Sequence, residues 1–413
     1  MSSVPSSTLV EHSIWWHVYP LGACGAPIRP EEGRTPGDWP LEHRLPRLEA
    51  WLDHVIELGC SGLLLGPVFA SVAHGYDTLD HFRIDPRLGD DSDWDHFVEA
   101  CHSRGLTILL DGVFNHVSTH HAWVSGDGPI KRVDGAPVPW EGHGELSELD
   151  HRDERTTGFV VDVMRHWLDR GAAGWRLDVA YAVPAEFWRT VLERVRETHP
   201  DALFLGEVIH GDYPQIAHDA TLDSVTQYEL WKAIWSSLAD HNFFELAHAL
   251  ERHDEFSQRM VTQTFVGNHD VTRIATKVGD AGAALAAVVL FTVPGMPSIY
   301  YGDEQAFRGE KTDTISGDDA VRPPLPATPA EMLPTGDWLE DIHKALIGLR
   351  RRHPWLTRGR LQVDDITNTS LDYHVHTGGH HTGEHRLDVH LDLESTPHAR
   401  LRFNDGETWQ GVG

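Results

Sequence analysis

Cysteine is scarce in this chain of 413 residues: Cys24, Cys60 and Cys101 are odd in number, far apart, and form no CxxC. That excludes a disulfide framework and a thiolate zinc site. Cys60 and Cys101, in or beside apolar helix ends, read as small core residues. Positive charge is also short: 34 Lys and Arg stand against 63 Asp and Glu, a formal net charge of −29. Such a balance argues against nucleic acid and anionic membrane surfaces as partners and reads as an acidic, soluble surface. No apolar run reaches transmembrane length, and even 281–293 is too short. The opening Met-Ser-Ser-Val-Pro-Ser-Ser-Thr has neither the basic nor the apolar region of an export signal. These absences give the expectation of a cytoplasmic protein without a membrane contact.

What is present is a repeated pattern. Four apolar runs stop at an acid: Leu106-Thr-Ile-Leu-Leu-Asp111, Gly174-Trp-Arg-Leu-Asp178, Leu203-Phe-Leu-Gly-Glu207 and Thr264-Phe-Val-Gly-Asn-His-Asp270. A strand buried on both faces needs an apolar run, and a charge at its end implies that this end opens onto water or substrate. Helix-period segments separate the runs, so the strands should be parallel and the acids should emerge at one end of the sheet. The fold this predicts is α/β, a (β/α)8 TIM barrel, which builds its site at that end. The length suits a barrel plus one small extra domain.

Walking the chain predicts strands at 14–19, 62–65, 106–110, 174–178, 203–207, 222–226, 261–266 and 298–301. Helices are expected at 44–58, 93–103, 157–170, 185–198, 228–238, 243–252, 281–290 and 338–351. After the third strand comes a loop of about forty residues rich in Gly, Pro and His, far longer than an ordinary βα connection. The expected organisation is a catalytic barrel over 1–116 and 156–353, a small excursion domain over 117–155, and a small C-terminal antiparallel β domain over 354–413. In the last, the His-rich stretch 374–385 is expected to form a hairpin with a Gly-Gly turn and a solvated edge, not a metal site.

One carboxylate at a barrel mouth is often a structural acceptor; four, with Arg176, His116 and His269 beside them, are not easily read that way. Glycoside hydrolysis needs a protonated carboxyl for the leaving oxygen and an ionised one to attack the anomeric carbon. Crowding carboxylates raises the pKa of at least one. Arg176 lies two residues before Asp178, hence on the same strand face, where it can hold its neighbour ionised and aimed.

Asp111-Gly-Val-Phe-Asn-His116, Gly174-Trp-Arg-Leu-Asp178, Gly206-Glu-Val-Ile-His210 and Phe265-Val-Gly-Asn-His-Asp270 resemble, in order, the four signature stretches of the α-amylase superfamily, glycoside hydrolase family 13. The resemblance runs from Trp15-Trp-His-Val-Tyr-Pro20 to Ile299-Tyr-Tyr-Gly-Asp-Glu304. It implies Asp178 as nucleophile, Glu207 as general acid/base, and Asp270 as the carboxylate gripping the distorted sugar. Arg176, His116 and His269 would bind hydroxyls and steady charge around that sugar, Tyr76 would stack on it, and Asp111 would be a structural acid.

Gly75-Tyr-Asp-Thr78 and Gly206-Glu-Val-Ile-His210 look closer to the cyclomaltodextrinase, neopullulanase and α-glucosidase branches than to secreted amylases. Asp318 and Arg322 match the Asp/Arg pair that closes the non-reducing side of the cleft in many members, and Asp77 with Arg322 is expected to wall off a short pocket. The implied function is a retaining α-glucoside hydrolase acting mainly on α-1,4 bonds of short malto-oligosaccharides. The alternative is a transglycosidase or isomerase on the same fold, acting on maltose, sucrose or trehalose. A non-enzymatic binding or chaperone subunit comes last, since all three acids are intact. No cofactor is needed for the chemistry. Asn115 and Asp150 match calcium ligands of true α-amylases, so structural calcium is an expectation, although two donors fall short of the roughly six to eight oxygens it takes.

Overall fold

Eight short apolar runs pair in parallel in the computed structural model, which describes residues 5–30, 32–33, 35–314, 316–378, 385–394 and 396–412. They are Trp15–Val18, Gly62–Leu65, Thr107–Gly112, Gly174–Leu177, Leu203–Gly206, Ser224–Val225, Gln263–Phe265 and Met296–Tyr300. Each is the neighbour of the next in chain order, and the first lies beside the eighth. Between the sixth and seventh the ring closes at one parallel bridge, Thr226 with Gln263. The strands are buried throughout except at Thr107, which is why they read as continuous apolar runs without alternation.

Several elements differ from the sequence expectation. The 44–58 segment is two helices, Leu45–Glu49 and Leu52–Leu58. Between them Trp51 takes a tighter turn onto Leu48, stacks on Trp16 at 6.3 Å and donates its Nε1–H to Pro326 O. Gly59 ends the second helix at φ 94°, as expected of a C-terminal glycine. The loop before the third strand contains an antiparallel pair, Phe69–Ser71 with Thr78–Ile84. The third strand runs to Gly112, so Asp111 lies inside it. A helix over Tyr213–Ala220, capped by Asp212, was not foreseen. The alanine-rich segment is a longer helix, Ile274–Thr292, with non-helical backbone at Gly279. By length and composition it meets the measure of a membrane span that the sequence reading denied, yet two-thirds of its apolar window is buried. Its neighbours are the Tyr228–Asp240 and Asp337–Arg352 helices.

Between the third strand and the Glu154–Asp169 helix the chain makes a three-stranded antiparallel sheet, His116–Ser118, Pro139–Trp140 and His143–Glu148, around a small cluster of Val117, Ile130 and Leu149. The C-terminal strands Arg360–Ile366, Ser370–His376, Arg386–Asp392, His398–Phe403 and Thr408–Gly411 form a five-stranded antiparallel sheet. Leu371, Tyr373, Val375, Leu387, Val389 and Leu391 point inward by period-two alternation. The sheet is tied to the barrel by Asp254, which receives Arg360 and the Leu361 N–H, and by Thr292 with the Tyr373 hydroxyl. The two strands of the expected hairpin pair, while its Gly-Gly turn reaches outside the described residues; both strands lie inside the sheet, so the solvated edge is incorrect: His374 is buried and paired with Asp364 at 2.7 Å. His380 and His381 fall outside the described residues.

Candidate active site

Strands three, four and five bring three carboxylates onto one guanidinium. Arg176 Nη1 donates to Asp111 Oδ1 (2.8 Å) and to Asp178 Oδ1 (2.9 Å), while Nη2 lies 2.7 Å from Glu207 Oε1. All four side chains are buried. Asp111 therefore does not open onto water, as its place at a strand end suggested; it is covered by Arg176 and by the Tyr76 hydroxyl, which donates to it at 2.9 Å. Burial pushes Asp178 well above the usual carboxylate range against the pull of Arg176, and Glu207, Asp111 and Asp270 add to the rise. Three acids around one cation retain a proton that isolated carboxylates would lose.

Glu207 has two further donors. The Tyr228 hydroxyl donates to Oε1 (3.0 Å) and is itself held by Asn268 Nδ2 (2.8 Å). The Val179 N–H donates to Oε2 (2.9 Å) from a left-handed backbone conformation, φ 40° and ψ 43°. A β-branched residue is rarely found there and costs about 1–3 kcal/mol. That strain turns the amide next to Asp178 onto Glu207.

Strand seven supplies the fourth acid. Asp270 receives His269 Nε2 at 3.0 Å and Arg322 Nη2 at 2.9 Å. Burial alone would raise its pKa, but His269, Arg322 and Arg176 hold it well below the ordinary range. Its environment is thus opposite to that of Asp178. His269 stacks on Tyr76 (centroids 5.3 Å, 11°) and touches the Tyr76 hydroxyl through Nε2 and His17 through Nδ1. Arg322 also donates through Nε to the His269 carbonyl, pairs with Asp318 at 3.0 Å, and lies 4.6 Å over the Tyr19 ring. Gly267 is required by a close approach: a Cβ there would sit 2.1 Å from Asp303 Oδ2.

The structure thus assembles Tyr76, Asp111, Arg176, Asp178, Glu207, His269, Asp270, Asp318 and Arg322 in one cluster. Two expected residues behave differently. Asp77 does not join Arg322: it is buried near His74 (4.0 Å), with Oδ1 lacking a hydrogen-bond partner and burial raising its pKa. Arg322 is already engaged by two acids, and among the described residues no ion pair joins it to Asp77. His116 has both ring nitrogens occupied, Nδ1 by Asn115 Nδ2 and Nε2 by the Tyr76 carbonyl. Burial depresses its pKa to about 3, so it is a neutral brace for Tyr76, stacked on Trp140 of the excursion at 6.0 Å. Sequence reading missed His17, Val179, Tyr228 and Asn268. His17 and Tyr228 were detectable in principle, lying on strand one and just past strand six. Asp150, a calcium candidate, is half-buried and its carboxylate is taken by Arg152 through Nε (3.1 Å) and N–H (3.1 Å). With a guanidinium already on one donor and only Asn115 as the other, this set does not fit a calcium ion.

Residues 48–132 and 141–327 match the model of the alpha amylase catalytic domain. A cyclomaltodextrinase of Geobacillus thermopakistaniensis is 28% identical over 87% of the chain and 66% of its own length. Neopullulanase 2 of Thermoactinomyces vulgaris is 32% identical over 77% of the chain and 56% of its own length. The chain thus spans between about half and two-thirds of these relatives. Among solved structures, a cyclic α-maltosyl-(1→6)-maltose hydrolase from Arthrobacter globiformis superposes with a TM-score of 0.80 at 22% identity, covering 99% of each chain, a likeness of fold. With two-thirds of its length in that catalytic-domain match, and the barrel and its four acids in place, the chain belongs to the α-amylase family.

Proposed function

We propose that the chain is a retaining glycoside hydrolase that cleaves α-glucosidic bonds, mainly α-1,4, in malto-oligosaccharides or similar short α-glucosides. The observation that carries this reading is Arg176, whose two amino groups hold Asp178 and Glu207 at 2.9 and 2.7 Å. One cation spanning both carboxyls fits the close pair, roughly 5–5.5 Å apart, that double displacement uses.

In the resting site burial among acids raises the Asp178 pKa, and Arg176 opposes that rise. The reactive form has Asp178 ionised beside Arg176 and a proton on Glu207; positive charge developing at the anomeric carbon stabilises the Asp178 anion, and Glu207 gives its proton to the leaving oxygen. The Asp178 carboxylate forms a bond to the anomeric carbon as the glycosidic C–O bond breaks. Glu207, now ionised, takes a proton from water, whose oxygen displaces Asp178 and restores the α configuration. Asp270, kept ionised by His269 and Arg322, grips ring hydroxyls as the sugar flattens. The three cysteines are buried and unpaired, which suits the reducing cytoplasm we infer as its setting.

Two measurements test the reading. Asp178→Asn, Glu207→Gln and Asp270→Asn should each lower kcat by at least about a thousandfold with an unchanged circular dichroism spectrum. A variant within about tenfold of the parent removes that residue from its role. NMR of the first minutes of maltotriose cleavage should show the α anomer; an initial β anomer rules out Asp178 as nucleophile.

A further inference from the structure

Among the described residues three groups bring histidine and carboxylate close enough to share an ion, and two of them are already spent. Asp90 and Asp93 cap the Asp91–Ser103 helix, and His43 is bonded to Asp93. Glu407 is held by Arg352 and His353. The third group is His390, Asp392 and His398, on the outer face of the C-terminal sheet, where one donor atom from each lies within 4.8 Å of the others. None of these residues enters the chemistry above.

Strand register assembles the group. His390 and Asp392 stand two apart on the Arg386–Asp392 strand and so share a face, and His398 is directly opposite Asp392 on the next strand. Asp372, on the preceding strand, is directly opposite His390. The alternate residues Val389, Leu391, Ala399 and Leu401 are buried. A slip of one position would expose them, so the apolar face locks the register that gathers the polar one.

Each ring is held by one nitrogen and offers the other. His390 Nδ1 donates to Asp372 Oδ1 at 2.8 Å, the carboxylate–imidazole arrangement that sets a metal-binding tautomer. His398 Nδ1 donates to the Thr396 carbonyl at 3.2 Å, since a carbonyl only accepts. Both rings therefore carry their lone pair on Nε2, which has no hydrogen bond among the described residues. Asp392 accepts the Glu394 N–H through Oδ1 at 2.7 Å, which leaves Oδ2. Two imidazoles and one carboxylate suit zinc and its neighbours, not calcium, which takes about six to eight oxygens. The three side chains are half-buried, so water can complete the coordination. Asp372 and Asp392 outweigh Arg400, which faces His390 in the register, so a cation meets net negative charge.

We propose that His390, Asp392 and His398 bind one divalent transition-metal ion of the zinc class, with Asp372 orienting His390, and that the ion staples the Arg386–Asp392 and His398–Phe403 strands together.

The test is zinc uptake by the untagged protein, stripped with EDTA and followed by equilibrium dialysis. The parent should fill one tightest site. His398→Gln should weaken that site at least about a hundredfold, and Asp392→Asn and Asp372→Asn each about tenfold. His376→Gln, on the same sheet but outside the group, should leave it unchanged. Without metal, parent and variants should share one circular dichroism spectrum; if His398→Gln does not fold, His390→Gln is read in its place. Zinc should also raise the Tm of the parent and not that of His398→Gln. A parent that binds no zinc overturns the site, and so does binding that survives His398→Gln or is lost in His376→Gln alone, which assigns the ion to other histidines. A parent Tm unmoved by bound zinc overturns the staple.

Discussion

At the scale of single residues, the site works by giving chemically identical groups opposite environments. Asp178 is pushed up by burial among other acids, and Asp270 is held down by His269 and Arg322. Activity needs one proton in the Asp178–Glu207 pair, so kcat/KM should fall on the alkaline side as that proton is lost, at a pH above the ordinary carboxylate range. The Tyr228 hydroxyl donates to Glu207. Tyr228→Phe removes a donor that orients Glu207 and should lower kcat about tenfold with the fold unchanged. An unchanged kcat would mean that Tyr228 only fills space. The acids and Arg176 were legible in the sequence because each occupies the end of an apolar run. Asn268 and Val179 were not, since the first acts through Tyr228, 40 positions away, and the second through a backbone angle that Val does not advertise.

Whole elements were readable where burial alone specifies them. All eight barrel strands lie where two-sided burial requires apolar residues, within a few positions of expectation. The failures have tertiary causes: the indole of Trp51 breaks one helix, and the Phe69–Ser71 pairing gives structure to what read as a loop. Two glycines show how an element can be constrained or free. Gly22, in the Pro20–Ala23 turn of helix, would place a Cβ 2.4 Å from the Arg322 carbonyl oxygen. Gly22→Ala should therefore displace Arg322 from Asp270 and lower kcat/KM by about tenfold. Gly158 sits inside the Glu154–Asp169 helix with nothing within 4 Å of a Cβ. Gly158→Ala should raise stability in urea by about 0.5–1 kcal/mol without touching the site.

At the scale of the whole molecule, the C-terminal sheet is held to the barrel by a buried acid. Burial alone would raise the Asp254 pKa, but Arg360 and the Leu361 N–H hold it below the usual carboxylate value. Its contribution to stability is therefore present above the unfolded pKa of about 4 and is lost as pH falls through the depressed folded value. Asp254→Ala should cost about 2 kcal/mol at neutral pH, measured by urea unfolding, and much less in acid. The barrel itself has an uneven rim: among the described residues seven of its eight junctions are ladders, while strands six and seven share a single parallel bridge, Thr226 with Gln263, beside the hydrogen bonds Gln227 N–H to Gln263 O and Ser224 Oγ to Val261 O. The chain runs from those strands into Tyr228 and Asp270, one on each side of that junction. In deuterium exchange, amides at 224–227 should therefore exchange sooner than those of strands one to four, and a bound oligosaccharide bridging both sides should slow them first. The barrel would open, like a cask, along its one thin stave.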